Sequence, residues 1–270
     1  ARAEMISGQW QVSHQFEGTK LNCITKSPQD PNMIYLGTHE KGVLRSLDSG
    51  KNWESIGMKN IPVMSLAVDP TDPQTIYAGC KPVSLYVTRD GGLAWTELEA
   101  MRKTRKWWWF SPADPPGLEP YVSGLTVSPR DPKVIMAGIE LGAVMRSDDG
   151  GCSWSKHLRG ADRDCHSLMF HPTDGDWVYE GGGVSGPAFS RDGGKTWQKP
   201  REGLEKNTVG WWLLILSVRI SGTSPHRSSP DFLRVSSAPQ PTRMAMPVRI
   251  FTERLARRHG SSFLAVCQSR

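Results

Sequence analysis

The sequence predicts an all-β protein assembled from repeated four-stranded units. Three observations support this prediction: a short box recurs at a regular spacing, a strand–turn–strand pattern precedes each copy, and the composition suits strands. The 270 residues include 11 Trp and 27 Gly, and these residue types favour strands and tight turns over helices. A chain of this length can bury a sizeable core in one large domain or two smaller ones.

The box has the pattern Ser/Thr-x-Asp-x-Gly-x-x-Trp and occurs four times. Its copies read SLDSGKNW, TRDGGLAW, SDDGGCSW and SRDGGKTW. The aspartates Asp48, Asp90, Asp149 and Asp192 are separated by 42, 59 and 43 residues. The period is therefore about 42 residues, with one insertion of about 17 residues between the second and third copies.

A matching segment precedes each box, starting at Leu21, Val63, Val122 and Cys165. Each segment predicts an alternating apolar strand, a turn rich in Pro and Asp, and a second strand that ends in Gly. A third strand then enters the box, and a fourth starts at its Trp. Four strands in about 42 residues is the size of one β-propeller blade.

Each box predicts the hairpin between the third and fourth strands of a blade. Its Gly can adopt the positive φ of a tight turn, its Asp can accept backbone N–H groups, and its Trp can pack on the neighbouring sheet. An acid that recurs in every turn is structural rather than catalytic. The predicted structural residues are Asp48, Gly50, Trp53, Asp90, Gly92, Trp95, Asp149, Gly151, Trp154, Asp192, Gly194 and Trp197.

The boxes and their preceding turns resemble the Asp-box, or BNR-repeat, propellers over residues 17–211. That superfamily includes sialidases, xyloglucan-cleaving glycosidases, sortilin-type receptors and photosystem II assembly factors, so the resemblance implies a fold rather than one function. Residues 1–16 are a lead-in. Since six or seven blades need roughly 250 to 300 residues, we expect a partial propeller of four blades and the start of a fifth.

Residues 212–270 depart from the repeat. They contain nine Arg, no Lys, and only Asp231 and Glu253 as acids. The tail therefore carries a net charge of +7, and the preceding residues about −1 of the total of +6. Because the basic character belongs to the tail, no nucleic-acid partner is expected for the blades.

The tail has the character of a frameshifted translation. One synonymous coding of residues 210–224, with a single G restored after the first Trp codon, reads GWVAFDPVRPDIWYV. That peptide contains an Asp-Pro turn and a Trp-Tyr strand where the fifth blade should begin. The alternative is a disordered basic tail.

The strand order predicts two faces. Boxes and Asp-Pro turns share one, whereas the second-to-third turns, the links between blades and the insertion share the other. The insertion, MRKTRKWWWFSPADPPGLEPY, joins basic to aromatic residues, which can stack on sugar rings, fill a partner's pocket, or plug the central channel. The ligand-binding candidates on this face are His39, Lys41, Arg105, Trp107, Trp108, Trp109 and Arg163.

The acid/base candidates on the same face are Glu40, Glu140, Asp162 and Asp164, with His166 beside them. His166 can instead be a core-edge histidine held by a backbone carbonyl. The run EGGG at 180–183 predicts close packing or a turn, since no helix follows it to form a phosphate site.

The sequence favours a non-catalytic scaffold that binds a protein, peptide or glycan. A sialidase-like or other glycoside hydrolase is the alternative, although the Arg-Ile-Pro signature of sialidases is missing and only Tyr121 is placed to act as a tyrosine nucleophile. A third interpretation is a truncated, inactive fragment.

The five cysteines are scattered and odd in number, which favours free thiols over disulfides or a zinc site. We therefore expect no metal, no cofactor and a cytoplasmic protein. The longest apolar run, WWLLIL, is too short to span a membrane. Because the chain begins with Ala1, a leader upstream remains open.

Overall fold

The computed structural model describes residues 2–104, 119–183, 186–200 and 263–264. They belong to the first of two compact units, Ala1–Trp212 with Ser262–Arg270, whereas the second, Leu213–Ser261, lies outside the described residues. Helix α1 (Glu99–Thr104) is the only helix in the described part, and the rest of its regular structure is antiparallel β. The predicted all-β propeller fold is confirmed.

A hairpin of β1 (Arg2–Ile6) and β2 (Gln9–Ser13) precedes the blades. Blade 1 contains β3 (Leu21–Lys26), β4 (Ile34–Thr38), β5 (Val43–Ser46) and β6 (Glu54–Ser55), and blade 2 contains β7 (Val63–Val68), β8 (Ile76–Cys80), β9 (Ser84–Thr88) and β10 (Thr96–Glu97). After α1, blade 3 contains β11 (Val122–Val127), β12 (Ile135–Ile139) and β13 (Val144–Ser147), and blade 4 contains β14 (Cys165–His171), β15 (Asp174–Gly182) and β16 (Pro187–Ser190). The last described strand, β17 (Phe263–Leu264), pairs with β1.

Each blade is an antiparallel meander in sequence order, but its outer strand is shorter than the sequence predicts. In blades 1 and 2 the fourth strand begins one residue after the Trp and spans two residues. In blade 3 a pair of hydrogen bonds between Ser155 and Arg146 takes its place, and the Ser155 hydroxyl accepts one of them. In blade 4 a single bridge joins Phe189 to Gln198.

The hydrophobic core lies between consecutive blades. The two faces of each sheet alternate along every strand, so one set of side chains packs on the preceding blade and the other on the following blade. Representative buried residues at the three junctions are Tyr35 and Val43 with Val63 and Ile76, Tyr77 and Val87 with Val122 and Ile135, and Met136 and Val144 with Cys165 and Val178.

The boxes form the outer hairpin turns. In the third box, Gly151 has φ of 91°, and its N–H donates to the Ser147 hydroxyl oxygen at 2.8 Å. The Ser147 hydroxyl in turn donates to Asp149, which accepts the Ser153 N–H at 2.8 Å. Hydrogen bonds from Ser153 and Ser147 lower the pKa of Asp149 to about 2. The carboxylate is therefore occupied by its own turn.

Backbone hydrogen bonds define two faces of the blades. On the box face, the box N–H donates to the turn between the first and second strands; the pairs are Ser49 to Asn32, Gly91 to Gln74, Gly150 to Lys133 and Gly193 to Asp176. On the opposite loop face, the residue after the second strand donates to the residue before the first; the pairs are His39 to Lys20, Lys81 to Pro62, Glu140 to Tyr121 and Gly183 to Asp164.

A second set of bonds joins each blade to the next at the loop face. The first strand of every blade starts with a bulge, where the pairing register shifts. Side chains at these bulges reach the first carbonyl of the following blade: Asn22 donates to Val63 at 3.0 Å, Ser65 to Val122 at 2.7 Å, and Ser123 to Cys165. These bonds, named the inter-blade clips, set the register between blades.

The described part of the chain has free cysteines and a single short helix. Four cysteines, Cys23, Cys80, Cys152 and Cys165, are free thiols, and Cys267 lies outside the described residues. Across the described ranges, no helix combines the length and apolar character that a membrane span needs.

The frameshift and the domain boundary at residue 211 stay predictions, because the tail is described only at β17.

Replacing Ser147 with alanine is expected to destabilise the chain by about 1 to 3 kcal/mol, because the buried Gly151 N–H loses its acceptor. Urea unfolding followed by tryptophan fluorescence measures the change. Ser84→Ala is the matched control, since that hydroxyl is partly exposed and donates only to Pro82. A similar loss in both variants would contradict the structural role of the box.

Candidate functional site

Polar side chains from three blades meet on the loop face. Lys81 follows β8 of blade 2, Tyr121 and Glu140 flank β11 and β12 of blade 3, and Asp164 and His166 flank the start of β14 in blade 4. We call these five residues the polar cluster. The polar cluster lies at the end of the insertion, because Tyr121 is the last residue of the insertion.

The acidic part of the polar cluster is compact. One side-chain oxygen or nitrogen from each of Glu140, Asp164 and His166 lies within 4.8 Å of the other two. The His166 Nε2 is 3.4 Å from the Asp164 Oδ1. Tyr121 hydrogen-bonds the Glu140 carboxyl group, and the Lys81 Nζ lies 5.8 Å from the centre of the Tyr121 ring. Each blade therefore contributes to one connected group.

The acidic part of the polar cluster is largely buried, and this burial affects the ionisation of Glu140. The side chains of Asp164 and His166 are each 18% exposed, and Glu140 is half-buried. Burial raises the pKa of Glu140, whereas its hydrogen bond with Tyr121 and the nearby His166 oppose that rise. The Glu140 Oε2 and Asp164 Oδ1 are both buried and accept no hydrogen bond from the described residues. The cluster thus has spare acceptor capacity for a ligand.

The backbone of blade 4 makes room for these side chains. A Cβ on Gly183 would lie 2.2 Å from the Asp164 Oδ2 and 2.7 Å from the His166 ring. The equivalent residues of the other blades, His39, Lys81 and Glu140, all carry side chains. Blade 4 therefore requires glycine here because two side chains of the cluster occupy the space, in agreement with the close packing that EGGG predicts.

A buried carboxyl group holds the chain segment that leads into the polar cluster. Glu180 is 3% exposed and accepts the Asp162 N–H through both oxygens, at 3.0 and 3.1 Å. Asp162 in turn accepts the Asp164 N–H at 3.1 Å. Burial raises the pKa of Glu180 to about 8. Glu180 thereby positions the segment that carries Asp164.

The structure separates the acid/base candidates. Glu140, Asp164 and His166 come together, as described. Asp162 is 7% exposed, and its backbone N–H is bound to Glu180, so its place is structural. Glu40 is exposed in the turn after β4, and its carbonyl accepts the Asn60 N–H.

The ligand-binding candidates are more dispersed. Lys41 is exposed and His39 half-buried in blade 1, whereas the Arg163 side chain donates to the Gly142 carbonyl at 3.3 Å. Arg102 and Lys103 of α1 form ion pairs with Glu97 and Glu99, as a solvated charged run does. Arg105, Trp107, Trp108 and Trp109 lie outside the described residues, so their role stays a prediction.

Sequence reasoning did not single out Glu180, although a signal was present. Glu180 occupies the position of Leu36, Ala78 and Ala137 in the other blades. An acid at a repeat position that is otherwise apolar marks a departure from the structural pattern, and such departures mark candidate functional positions.

Comparison with known proteins agrees with this architecture, which is that of an Asp-box β-propeller. The family model described as sortilin, neurotensin receptor 3, matches residues 7–118, and the BNR/Asp-box repeat model matches residues 188–199, which contain the whole fourth box. These matches support a BNR-repeat propeller superfamily for the chain.

The similar proteins include xyloglucanases. A probable oligoxyloglucan-reducing end-specific xyloglucanase of Neosartorya fischeri is 33% identical over 79 residues, which cover 27% of this chain and 10% of that protein. Xyloglucanase Xgh74A of Acetivibrio thermocellus is 24% identical over 257 residues, covering 80% of this chain and 29% of that protein. The chain therefore spans less than a third of the length of these relatives.

A solved structure shows the same fold. The GH74 xyloglucanase from Xanthomonas campestris superposes with a TM-score of 0.51 at 19% identity, over 70% of this chain and 31% of the other. At this identity the likeness supports the propeller architecture and carries no argument about the reaction.

The stability of the chain is expected to fall as the pH rises from about 4.5 to about 8, because folded Glu180 retains a proton that the unfolded chain releases. Below that window the carboxyl group is protonated in both states. Glu180→Gln stays neutral, so its melting temperature should rise relative to that of the original chain as the pH increases.

Glu40→Gln is the control for the pH series, since it removes an exposed carboxylate from the same face. Thermal melts from about pH 5 to pH 9 make the comparison. Parallel curves for the original chain and Glu180→Gln would show that Glu180 is not held protonated.

Proposed function

We propose that the loop face binds a glycan at the polar cluster, and that the chain acts as a non-catalytic propeller scaffold. The observation that carries this proposal is that two buried carboxylate oxygens on the loop face, one of Glu140 and one of Asp164, accept no hydrogen bond from the described residues. Sugar hydroxyl groups are donors that fit such acceptors, and hydrogen bonds to a charged acceptor are stronger than neutral ones.

The insertion supports a glycan ligand by its composition. It contains three consecutive Trp residues and ends at Tyr121, which belongs to the polar cluster. Aromatic rings provide the flat apolar surface on which sugar rings pack, while a few polar groups set their orientation. Two of the similar proteins are xyloglucanases, which makes xyloglucan oligosaccharides the first ligands to test.

The spacing of the carboxylates argues against an inverting glycosidase. Atoms of Glu140 and Asp164 lie within 4.8 Å of each other. Inverting glycosidases separate their two carboxyl groups by about 6.5 to 9.5 Å, and retaining ones by about 5 to 5.5 Å. The pair is therefore closer than an inverting mechanism requires, since that mechanism places a water between the two carboxyl groups, whereas the spacing here is near that of a retaining pair.

Hydrolysis is the second candidate function, because burial raises the pKa of Glu140. A carboxyl group with a raised pKa can act as a general acid beside an ionised partner. The similarity to xyloglucanases supports this candidate as well.

Xyloglucan oligosaccharides are expected to bind the full chain, and Glu140→Gln and Asp164→Asn are each expected to weaken the affinity at least about tenfold. The reason is the loss of a charge-assisted acceptor, worth about 1.5 to 3 kcal/mol. Isothermal titration calorimetry measures the affinity. Glu40→Gln should bind as the original chain does, and equal affinities for all variants would refute this location of the site.

The same oligosaccharides are expected to remain intact after long incubation with the chain. Reducing-end assays and mass spectrometry of the products test this expectation. Cleavage that disappears in both Glu140→Gln and Asp164→Asn would replace the scaffold role with that of a glycoside hydrolase.

A further inference from the structure

We propose that Glu140, Asp164 and His166 form a site for a divalent metal ion, with Zn²⁺ the best match to the ligands. An imidazole nitrogen and two carboxylate oxygens are ligands that Zn²⁺ accepts, and three protein ligands leave a fourth position open. The sequence predicts no metal site, since the ligands come from two blades and follow no zinc-binding spacing.

The distances suit a small cation. Zn²⁺ binds nitrogen and oxygen at about 2.0 to 2.2 Å, so neighbouring ligands of a tetrahedron lie about 3.3 to 3.6 Å apart. The His166 Nε2 and Asp164 Oδ1 are 3.4 Å apart, which is already within this range. One ligand atom from each of the three residues lies within 4.8 Å of the other two, so a shift on the order of 1 Å lets the Glu140 carboxylate complete the set.

The basic groups near the ligands do not provide all the partners that the two carboxylates can accept, which favours binding of a cation. Glu140 Oε2 and Asp164 Oδ1 are buried, accept no hydrogen bond from the described residues, and belong to carboxylates close enough to repel each other. Lys81 and His166 are the basic groups that act on Glu140, but the Lys81 Nζ lies over the Tyr121 ring. A divalent ion between the carboxylates would satisfy both oxygens.

The surroundings hold the ligands in place. Tyr121 hydrogen-bonds Glu140, and the Asp162 side chain fixes the backbone N–H of Asp164. Gly183 leaves room for Asp164 and His166. Outer contacts of this kind orient metal ligands and strongly affect affinity.

The cluster is not a by-product of the repeat. At the junction of blades 1 and 2, the residues equivalent to Asp164 and His166 are Pro62 and Met64. Neither provides a ligand for Zn²⁺. The three ligands therefore occur together at the junction of blades 3 and 4, where the sequence departs from its own pattern.

The open coordination position gives the ion a role in the proposed site. It can accept a sugar hydroxyl oxygen, so that with the ion bound the sugar contacts the carboxylates through the ion rather than directly. This role rests on the proposed glycan binding, whereas binding of the ion itself does not.

The test is calorimetric titration of Zn²⁺ alone into the chelator-treated, full-length chain. One Zn²⁺ per chain is expected, with affinity reduced at least about tenfold in Asp164→Asn and His166→Gln. Gly183→Ala should also weaken binding, since its methyl group displaces two ligands without removing either. Glu40→Gln and His39→Gln are the matched controls and should bind as the original chain does.

Circular dichroism and melting temperature verify that each variant folds, and Gly183→Ala supplies a variant with all three ligand side chains intact. The visible spectrum of Co²⁺ in place of Zn²⁺ should show nitrogen and oxygen ligands. Absence of binding, binding that survives all three site variants, or thiolate charge-transfer bands would overturn the proposal.

Oligosaccharide titrations with and without Zn²⁺ separate the two proposals. If the original chain binds glycan but no Zn²⁺, the metal site alone is overturned. Zn²⁺ binding without any glycan affinity upholds the metal site and overturns the proposed function.

Discussion

The inter-blade clips are the constraint on which the rest of the structure depends. Each clip joins a side chain in the inner strand of one blade to the first carbonyl of the next, and Ser123 makes this contact with Cys165. That bond fixes the start of β14 beside β11, and thereby sets Asp164 and His166 against Glu140. In blade 4, His166 occupies the bulge position that Asn22 and Ser123 use for clips. The repeat therefore determines where this residue lies, and the change to His166 supplies the imidazole of the polar cluster.

The fold could be predicted because it repeats. One box is a weak pattern, but four boxes in register require four hairpins, and the Ser or Thr, Asp and Gly residues of each box satisfy the same turn through the same bonds. The extent of the outer strands could not be predicted in the same way. The chain after Trp154 pairs as a strand only if side chains do not compete with backbone groups for the same hydrogen bonds. There the Ser155 hydroxyl takes the place of a backbone acceptor for the Arg146 N–H.

The candidate site was only partly predictable. Strand order placed Glu40, Glu140 and Asp164 on one face, but it gave no distances between blades, so it could not separate the exposed Glu40 from the other two. The bulge that places His166 next to Asp164 is a feature of pairing register and leaves no mark in the local sequence. Glu180 could have been found by asking where an acid replaces the apolar residue of the other repeats.

The two classes of hydrogen bond differ in sequence separation, and this has a consequence for the order of folding. Box bonds join residues at most four positions apart, whereas the clips join residues 41 to 57 positions apart. Local contacts lose less chain entropy on closure, so we expect hairpins to form before blades dock. The polar cluster exists only between docked blades, so we expect it to form late in folding and to be lost early in unfolding. Ligand binding there therefore reports on the docking of the blades rather than on any single blade.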